Sequence, residues 1–422
     1  MSEARELAKA ARLASRSLAA AGAATRTKAI ELAAHAIDMA REEILAANVH
    51  DLERGQASGL SNALMDRLLL TDERIDGIVA GMRKVAAQED PIGEVVGGHT
   101  LDSGIRLTRV RVPLGVVAIV YEARPNVTAD AVALTLRSGN ACVLRGGSAA
   151  HDSCVALVNA CRKGIEEAGL PADCATLIQS TDRAETIELM HANGLVDVLI
   201  PRGGHSLIRT CVEQATVPVI ETGEGNCHTY VHASADQDMA LSIIENAKTS
   251  RPGVCNACES VLVDVECAES FLPRFLKACT VWGVLVHGDE ATCKAAAAAG
   301  LTEEVDYVLA GEEDWGREYL ALEISCKVVS GIDEAIAHIN RYGTGHSECI
   351  VARDVQACER FLSDVDAAAV YTNASTRFTD GGMFGLGAEI GISTQRLHVR
   401  GPMGAAALTT TKCLLRGEGQ VR

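Results

Sequence analysis

The chain has 422 residues, 48% of them hydrophobic and only 3% aromatic, so its length calls for two or three domains whose cores are built from Ala, Val, Leu and Ile. A formal charge of -17 argues against non-specific binding to nucleic acid or anionic lipid. The same charge requires any site for an anionic substrate to gather its cations locally.

The N-terminal "MSEARELAKAARLASRSLAA" mixes Glu, Arg and Lys among alanines and lacks the apolar centre of a signal peptide. No stretch approaches the roughly 18–20 apolar residues that span a bilayer. The expectation is a soluble cytoplasmic protein. There the 15 cysteines stay reduced, and most serve as small buried apolar residues. The first ~90 residues read as helix: Ile30, Ala33, Ile37, Ala40 and Ile44 recur at helical spacing with charges between them. "HTLDSGIRLTRVRV" (99–112) reads as a hairpin arm turned by glycine. The run "VPLGVVAIVY" (112–121) is apolar and β-branched throughout, as in a strand covered on both faces. A helix over 127–137 follows, then the strand "ACVL" and a helix with Cys154, Leu157, Val158, Cys161 and Ile165 on one stripe. "ATLIQ", "DVLI" and "VPVIE" are read as further strands. A second round of alternation runs from His228 to about Tyr371, with a helix over 236–248 and "ESVLVDV" as its second strand. Alternation at this pace predicts parallel α/β sheets with right-handed crossovers, and two such units meet between Ile220 and His228.

Three short stretches carry residues suited to chemistry. In "SRPGVCNACES" the Arg-Pro-Gly marks a loop between helix and strand, which separates Cys255 from a packed core cysteine. Arg251 is close enough in sequence to favour a thiolate, which a free thiol with a pKa near ~8.5 rarely supplies at neutral pH. Cys258 lacks a second Cys/His pair for zinc and runs straight into a strand, so no metal site is expected and Cys255 is the exposed thiol. In "VPVIETGEGNCH", Glu221 ends the apolar run before a glycine-rich turn, either facing a ligand or capping the turn. Cys227 and His228 are discounted as a dyad because neighbours on a strand point to opposite faces. In "VYEARPNVTADAV", Asn126 stands where strand becomes helix, either as a plain cap or as an oxyanion donor beside the free N–H groups of the helix start.

Asn126, Glu221 and Cys255, with Glu221 and Asn126 lying 34 and 129 residues before Cys255, resemble the oxyanion donor, carboxylate and nucleophile of the aldehyde dehydrogenase superfamily. The longer stretches "VPLGVVAIVYEARPNVTADA", "VLRGG", "LIPRGG", "NAKTSRPGVCNACES", "YGTGHSECIV" and "YTNASTRFTDGGMFGLGAEIGISTQRLHVRGPMG" are similar to one branch of it, the γ-glutamyl phosphate reductase (glutamate-5-semialdehyde dehydrogenase) family. That resemblance implies an α/β, aldehyde dehydrogenase-like fold of two Rossmann-type parallel-sheet domains plus a small β oligomerisation arm. It places a cofactor-binding domain at 1–98 and 113–224, a catalytic domain at 225–372, and oligomerisation elements at 99–112 and 395–418. It also implies reduction of L-glutamyl 5-phosphate by NADPH to the semialdehyde and phosphate through a Cys255 thioester, the second step of proline synthesis from glutamate.

In that reaction Asn126 holds the oxyanion, and Glu221 has a smaller part than in water-consuming relatives. Arg124 and Arg251, each in an Arg-Pro pair before a reactive residue, bind the acyl phosphate or the α-carboxylate, unless they are ion pairs that fix the loops. No GxGxxG follows the first strand. By position, Arg145 and Ser148 lie near the adenosine ribose, Gly203 and Gly204 near the pyrophosphate, and Glu323 near the second ribose. Ser148 stands where related reductases often carry Lys, which bears on NADP selectivity. Met383 is given no role. No kinase segment is attached, so a stand-alone homo-oligomeric reductase is expected, coupled in function to glutamate 5-kinase. Two alternatives stay open: a CoA-acylating aldehyde dehydrogenase, or a catalytically silent binding protein of this fold.

Overall fold

Alanines at 4, 8 and 11 stack on one face of the first helix, α1 (Glu3–Ala20), and press against Val116, Ala118 and Val120 of a strand far along the chain. Side chains this small let a helix lie close on a sheet, which is how a chain so poor in aromatics closes its core. The computed structural model describes residues 2–422, apart from the side chains of residues 62 and 63. Contacts divide them into two units, one of residues 2–222, Gly381–Gly391 and Pro402–Arg422, the other of Gly223–Asp380 and Ile392–Gly401.

The first unit continues with α2 (Ala23–Met39), α3 (Arg41–Ala57), α4 (Asn62–Leu68) and α5 (Asp72–Ala86). Strands β1 (Val95–Thr100), β2 (Arg106–Pro113) and β3 (Val116–Tyr121) lead to α6 (Asn126–Arg137). Then come β4 (Ala141–Gly146), α7 (His151–Glu167), β5 (Ala175–Leu177), α8 (Arg183–Met190), β6 (Val198–Arg202) and α9 (His205–Gln214). The second unit holds β7 (Cys227–Val231), α10 (Gln237–Thr249), β8 (Cys258–Asp264), α11 (Val265–Trp282), β9 (Leu285–Gly288), α12 (Glu290–Ala298) and β10 (Tyr307–Leu309). It goes on with β11 (Glu323–Val329), α13 (Ile332–Tyr342), β12 (Ser347–Val351), α14 (Val355–Asp364) and β13 (Ala369–Thr372). The short strands β14 (Ile392–Ser393) and β15 (Gly401–Pro402) follow, and then β16 (Thr409–Arg416).

In the first unit the parallel sheet has the order β5-β4-β3-β6, so the strand sequence reverses beside β3. α6 and α7 cover the face opposite α1. The stretch "VPVIE" forms one isolated bridge, Val219 beside Leu199, rather than the expected strand. Pro218 has no N–H to give before this bridge and Pro201 of β6 has none to give after it, so pairing is confined to Leu199 N–H to Pro218 O (2.8 Å) and Ile220 N–H to Leu199 O (3.0 Å). Glu221 therefore sits half-buried in an extended loop. The hairpin arm is broader than its sequence signal, because β16 pairs along the whole of β2 to give an antiparallel sheet β1-β2-β16.

In the second unit seven parallel strands run β10-β9-β11-β8-β7-β12-β13. Alternation along β8 feeds two cores. Val261 and Val263 join Ile244, Phe271 and Phe275 on one face, and Leu262 joins Ile339, Ile350 and Phe361 on the other. The architecture is the aldehyde dehydrogenase-like one. No helix among the described residues is long and apolar enough to cross a membrane.

Candidate active site

Cys255 lies in the irregular segment that links α10 to β8, at the amino edge of the seven-stranded sheet. It is half-buried rather than exposed as expected, because its loop is packed from beneath. Cys293 and Cys358 are also half-buried, Cys413 is exposed, and the other eleven cysteines are buried. Burial pushes the thiols of those neighbours up, Cys258 to about 11 and Cys349 to about 12, so they stay protonated and inert.

The loop is pinned from several sides. Gly225 packs so tightly beneath it that a Cβ there would fall 1.4 Å from the Cys255 carbonyl oxygen. The Gly225 N–H donates to Glu318 (2.9 Å), whose carboxyl is pushed up by burial. The Cys227 thiol donates to the Cys255 carbonyl at 3.2 Å and lies 3.7 Å from His346 Nδ1. Behind the loop, Lys248 on α10 and Glu259 on β8 form a buried ion pair at 2.5 Å. Burial raises the Glu259 carboxyl, and the Lys248 ammonium opposes that rise. After β13 the chain turns at Asn373, whose φ is 55°, and returns to this edge. There Thr379 accepts from Ser347 (2.6 Å), and Asn256 donates to the Thr379 carbonyl (2.8 Å). Asn256 also accepts from the guanidinium of Arg377.

Arg251 is exposed just before Cys255. Glu323 opens β11, and its carboxylate meets His287 Nε2 at 2.9 Å while His287 Nδ1 lies 3.3 Å from Asp314. The imidazole thus fixes the direction of Glu323. Glu318, His287 and Arg377 had no sequence signal. Each is brought to its place by strand order or by the return after β13.

The first unit gathers its residues at the carboxyl ends of its strands. β3 pairs Tyr121 with Gly146 on one side and Arg202 on the other, which brings Glu122, Ser148, Gly203 and Gly204 to one rim. Glu122, also unsignalled, accepts from the Gly204 N–H at 2.9 Å, at the start of α9. A Cβ on Gly203 would stand 2.7 Å from the Glu122 carboxyl carbon, so only backbone lines that turn. A rim of glycine backbone, at the point where strand order reverses and beside the amino end of α9, fits a dinucleotide. Ser148 is exposed on it. Arg145 is 8% exposed and spends its guanidinium on the carbonyls of Gly146 and Thr181, bracing the turn that carries Ser148.

Asn126 is exposed at the start of α6. The backbone N–H groups of Val127 and Thr128, expected to be free, instead donate to Arg124 and Pro125 carbonyls (3.1 and 3.0 Å). The Asn126 amide donates one hydrogen to Asp130 (3.2 Å), which orients it and leaves a second donor on the same nitrogen. Burial pushes the Asp130 carboxyl up to about 6 while that hydrogen bond pulls it down. Arg124 is half-buried in the turn before Asn126. Among the described residues no group of three or more His, Cys, Asp or Glu is arranged to hold a metal.

The aldehyde dehydrogenase family model matches residues 1–299. A γ-glutamyl phosphate reductase of Kineococcus radiotolerans is 52% identical over 98% of this chain and 94% of its own length. The crystal structure of γ-glutamyl phosphate reductase from Thermotoga maritima superposes with a TM-score of 0.95 at 46% identity, covering 100% of both chains. An acetylating aldehyde dehydrogenase of Geobacillus thermoglucosidasius shares the fold at a TM-score of 0.70 and 20% identity, over 100% of this chain and 97% of its own. The chain belongs to the aldehyde dehydrogenase family, within its γ-glutamyl phosphate reductase branch.

Proposed function

We propose that this chain is the NADPH-dependent enzyme that converts L-glutamyl 5-phosphate to L-glutamate 5-semialdehyde and phosphate, the second step of proline synthesis from glutamate. The observation that carries the reading is the Cys255 loop: a half-buried thiol on a segment fixed by the Cys227 hydrogen bond to the Cys255 carbonyl and by the close packing of Gly225, among cysteines that are mostly sealed in the cores. Cys255 attacks the acyl carbonyl and becomes a thioester. The second N–H of the Asn126 amide, with the Cys255 backbone N–H, takes the oxyanion. Arg124 and Arg251 supply cations for the substrate's phosphate and α-carboxylate.

When bound, NADPH supplies the hydride that reduces the thioester. Gly203 and Gly204 would hold its pyrophosphate, Ser148 on the turn braced by Arg145 its adenosine ribose, and Glu323 the hydroxyls of the other ribose. No deacylating water is needed, so Glu221 serves proton transfer with the thiol. The domain roles follow: residues 1–98 and 113–224 bind cofactor, 225–372 carry the nucleophile, and 99–112 with 395–418 form the oligomerisation elements of a homo-oligomer working in the cytoplasm after glutamate 5-kinase.

The test is oxidation of glutamate 5-semialdehyde with NADP and NAD side by side, with phosphate or CoA as acceptor. Phosphate-dependent turnover that prefers NADP and vanishes in Cys255→Ala supports the reading. Turnover that needs CoA replaces it with the acylating alternative.

A further inference from the structure

Asn256, next to Cys255 and 4% exposed, uses every polar atom of its side chain on one turn. Its amide nitrogen donates to the carbonyls of Thr379 (2.8 Å) and Arg377 (3.3 Å), and its amide oxygen accepts from Arg377 Nη1. The Asn256 carbonyl accepts from the Thr376 hydroxyl at 2.8 Å. Arg377 Nε also donates to Ser250 Oγ at 3.3 Å. The guanidinium is thus fixed at two points, one on each side of Arg251 and Cys255, and both of those partners are neutral. Burial lowers its pKa, and Arg251 acts in the same direction, while Asp380 and the Cys255 thiol oppose.

We propose that Arg377 is a further cation, beside those of Arg124 and Arg251, that grips the phosphoryl group of the acyl phosphate while Cys255 attacks. The proposal rests on the function read above. The Cys255 Sγ–carbon bond forms and the carbon–oxygen bond to phosphate breaks, with the electron pair departing on the phosphate oxygen. A guanidinium on the residue clasped to the nucleophile's neighbour meets the charge that develops there. Its planar fork matches phosphate oxygens. Partial burial strengthens the attraction, and the clasp fixes the side chain before substrate arrives. In a chain of net charge -17, a cation whose hydrogen-bond partners are neutral is ready for an anionic ligand.

The experiment follows semialdehyde oxidation in the wild type, Arg377→Gln and Arg377→Lys, and in parallel the alkylation of Cys255 by iodoacetamide with and without inorganic phosphate. Arg377→Gln should raise the KM for phosphate roughly tenfold or more, the loss of a charge-assisted hydrogen bond. The KM for semialdehyde should stay within about twofold, and Lys should recover part of the loss. Phosphate should slow alkylation of the wild type but not of Arg377→Gln when the two are compared at equal thiolate fraction. An unchanged phosphate KM overturns the proposal. So does retained phosphate protection with an alkylation profile moved to higher pH, which would assign Arg377 to the thiolate. If the wild type does not oxidise semialdehyde with phosphate, the functional reading falls, and the alkylation experiment alone then decides whether Arg377 binds phosphate.

Discussion

The two parallel sheets present opposite ends of their strands. In the first unit the assembled residues follow the strands: Glu122 after β3, Gly146–Ser148 at the end of β4, Gly203 and Gly204 after β6. In the second they precede the strands: Gly225 before β7, Cys255 before β8, His346 before β12. Carboxyl ends followed by helices offer backbone N–H groups and glycine turns, which suit a phosphate-rich ligand of standard shape. The amino ends carry irregular segments tied down by side chains, which suit a nucleophile that must be held in one place. The same α/β plan thus yields a backbone-lined rim in one unit and a side-chain-clasped loop in the other.

The sharpest way to break this comparison is Gly225→Ala. The new methyl has no room against the Cys255 carbonyl, so the loop must move, and kcat should fall about 100-fold or more. Iodoacetamide labelling of Cys255 reports the displacement directly. A variant that keeps wild-type kcat would show that the loop is not held as described.

Gly203→Ala is the counterpart in the first unit. It crowds Glu122 and should raise the KM for NADP about tenfold while leaving the alkylation rate of Cys255 unchanged. A change in alkylation rate with no change in KM would dissolve the division of labour.

Glu221→Gln should cost less than about tenfold in reductase kcat, because the forward reaction consumes no water. A loss as complete as that of Cys255→Ala would give Glu221 a central role.

The smallest effect concerns stability. Among the described residues the buried histidines, His228, His338 and His346, all belong to the second unit. Burial first, and then His228, lower the pKa of His338 to about 3, so it is neutral in the fold. The unfolded chain binds its proton near 6.5, so this stability is complete above that pH and is lost as pH falls from 6.5 toward 3. His338→Phe should remove about 1 kcal/mol of that loss per pH unit, read by urea unfolding at pH 7 and 5.5. Identical slopes in the two proteins would remove His338 from the account.

The alternation of strand and helix was legible because β3 is apolar throughout, β8 carries the apolar run Val261–Val263, and the helices carry stripes such as Ile30, Ala33 and Ile37. Cys255 and Asn126 could be singled out because each follows an Arg-Pro that breaks regular structure. Arg377 could not, since only the turn at Asn373 returns it to Asn256. Glu122 needed the pairing of β3 with β6 to meet Gly204. The expected strand before Glu221 failed because Pro218 and, across from it, Pro201 lack the N–H groups to extend the bridge, and the arm's third strand arrives from nearly 300 positions away through the β2–β16 register. In each case the missing information is a contact between distant segments.

The ion pair between Lys248 and Glu259 joins the two elements from which the Cys255 segment hangs. Losing either partner strands a charge in apolar surroundings at a cost of about 3–5 kcal/mol, whereas exchanging both for apolar residues of like volume is tolerable. Descendants of this gene can therefore shed the pair only in a double step, and the first lone change at either codon should be purged by selection although both side chains are sealed from solvent.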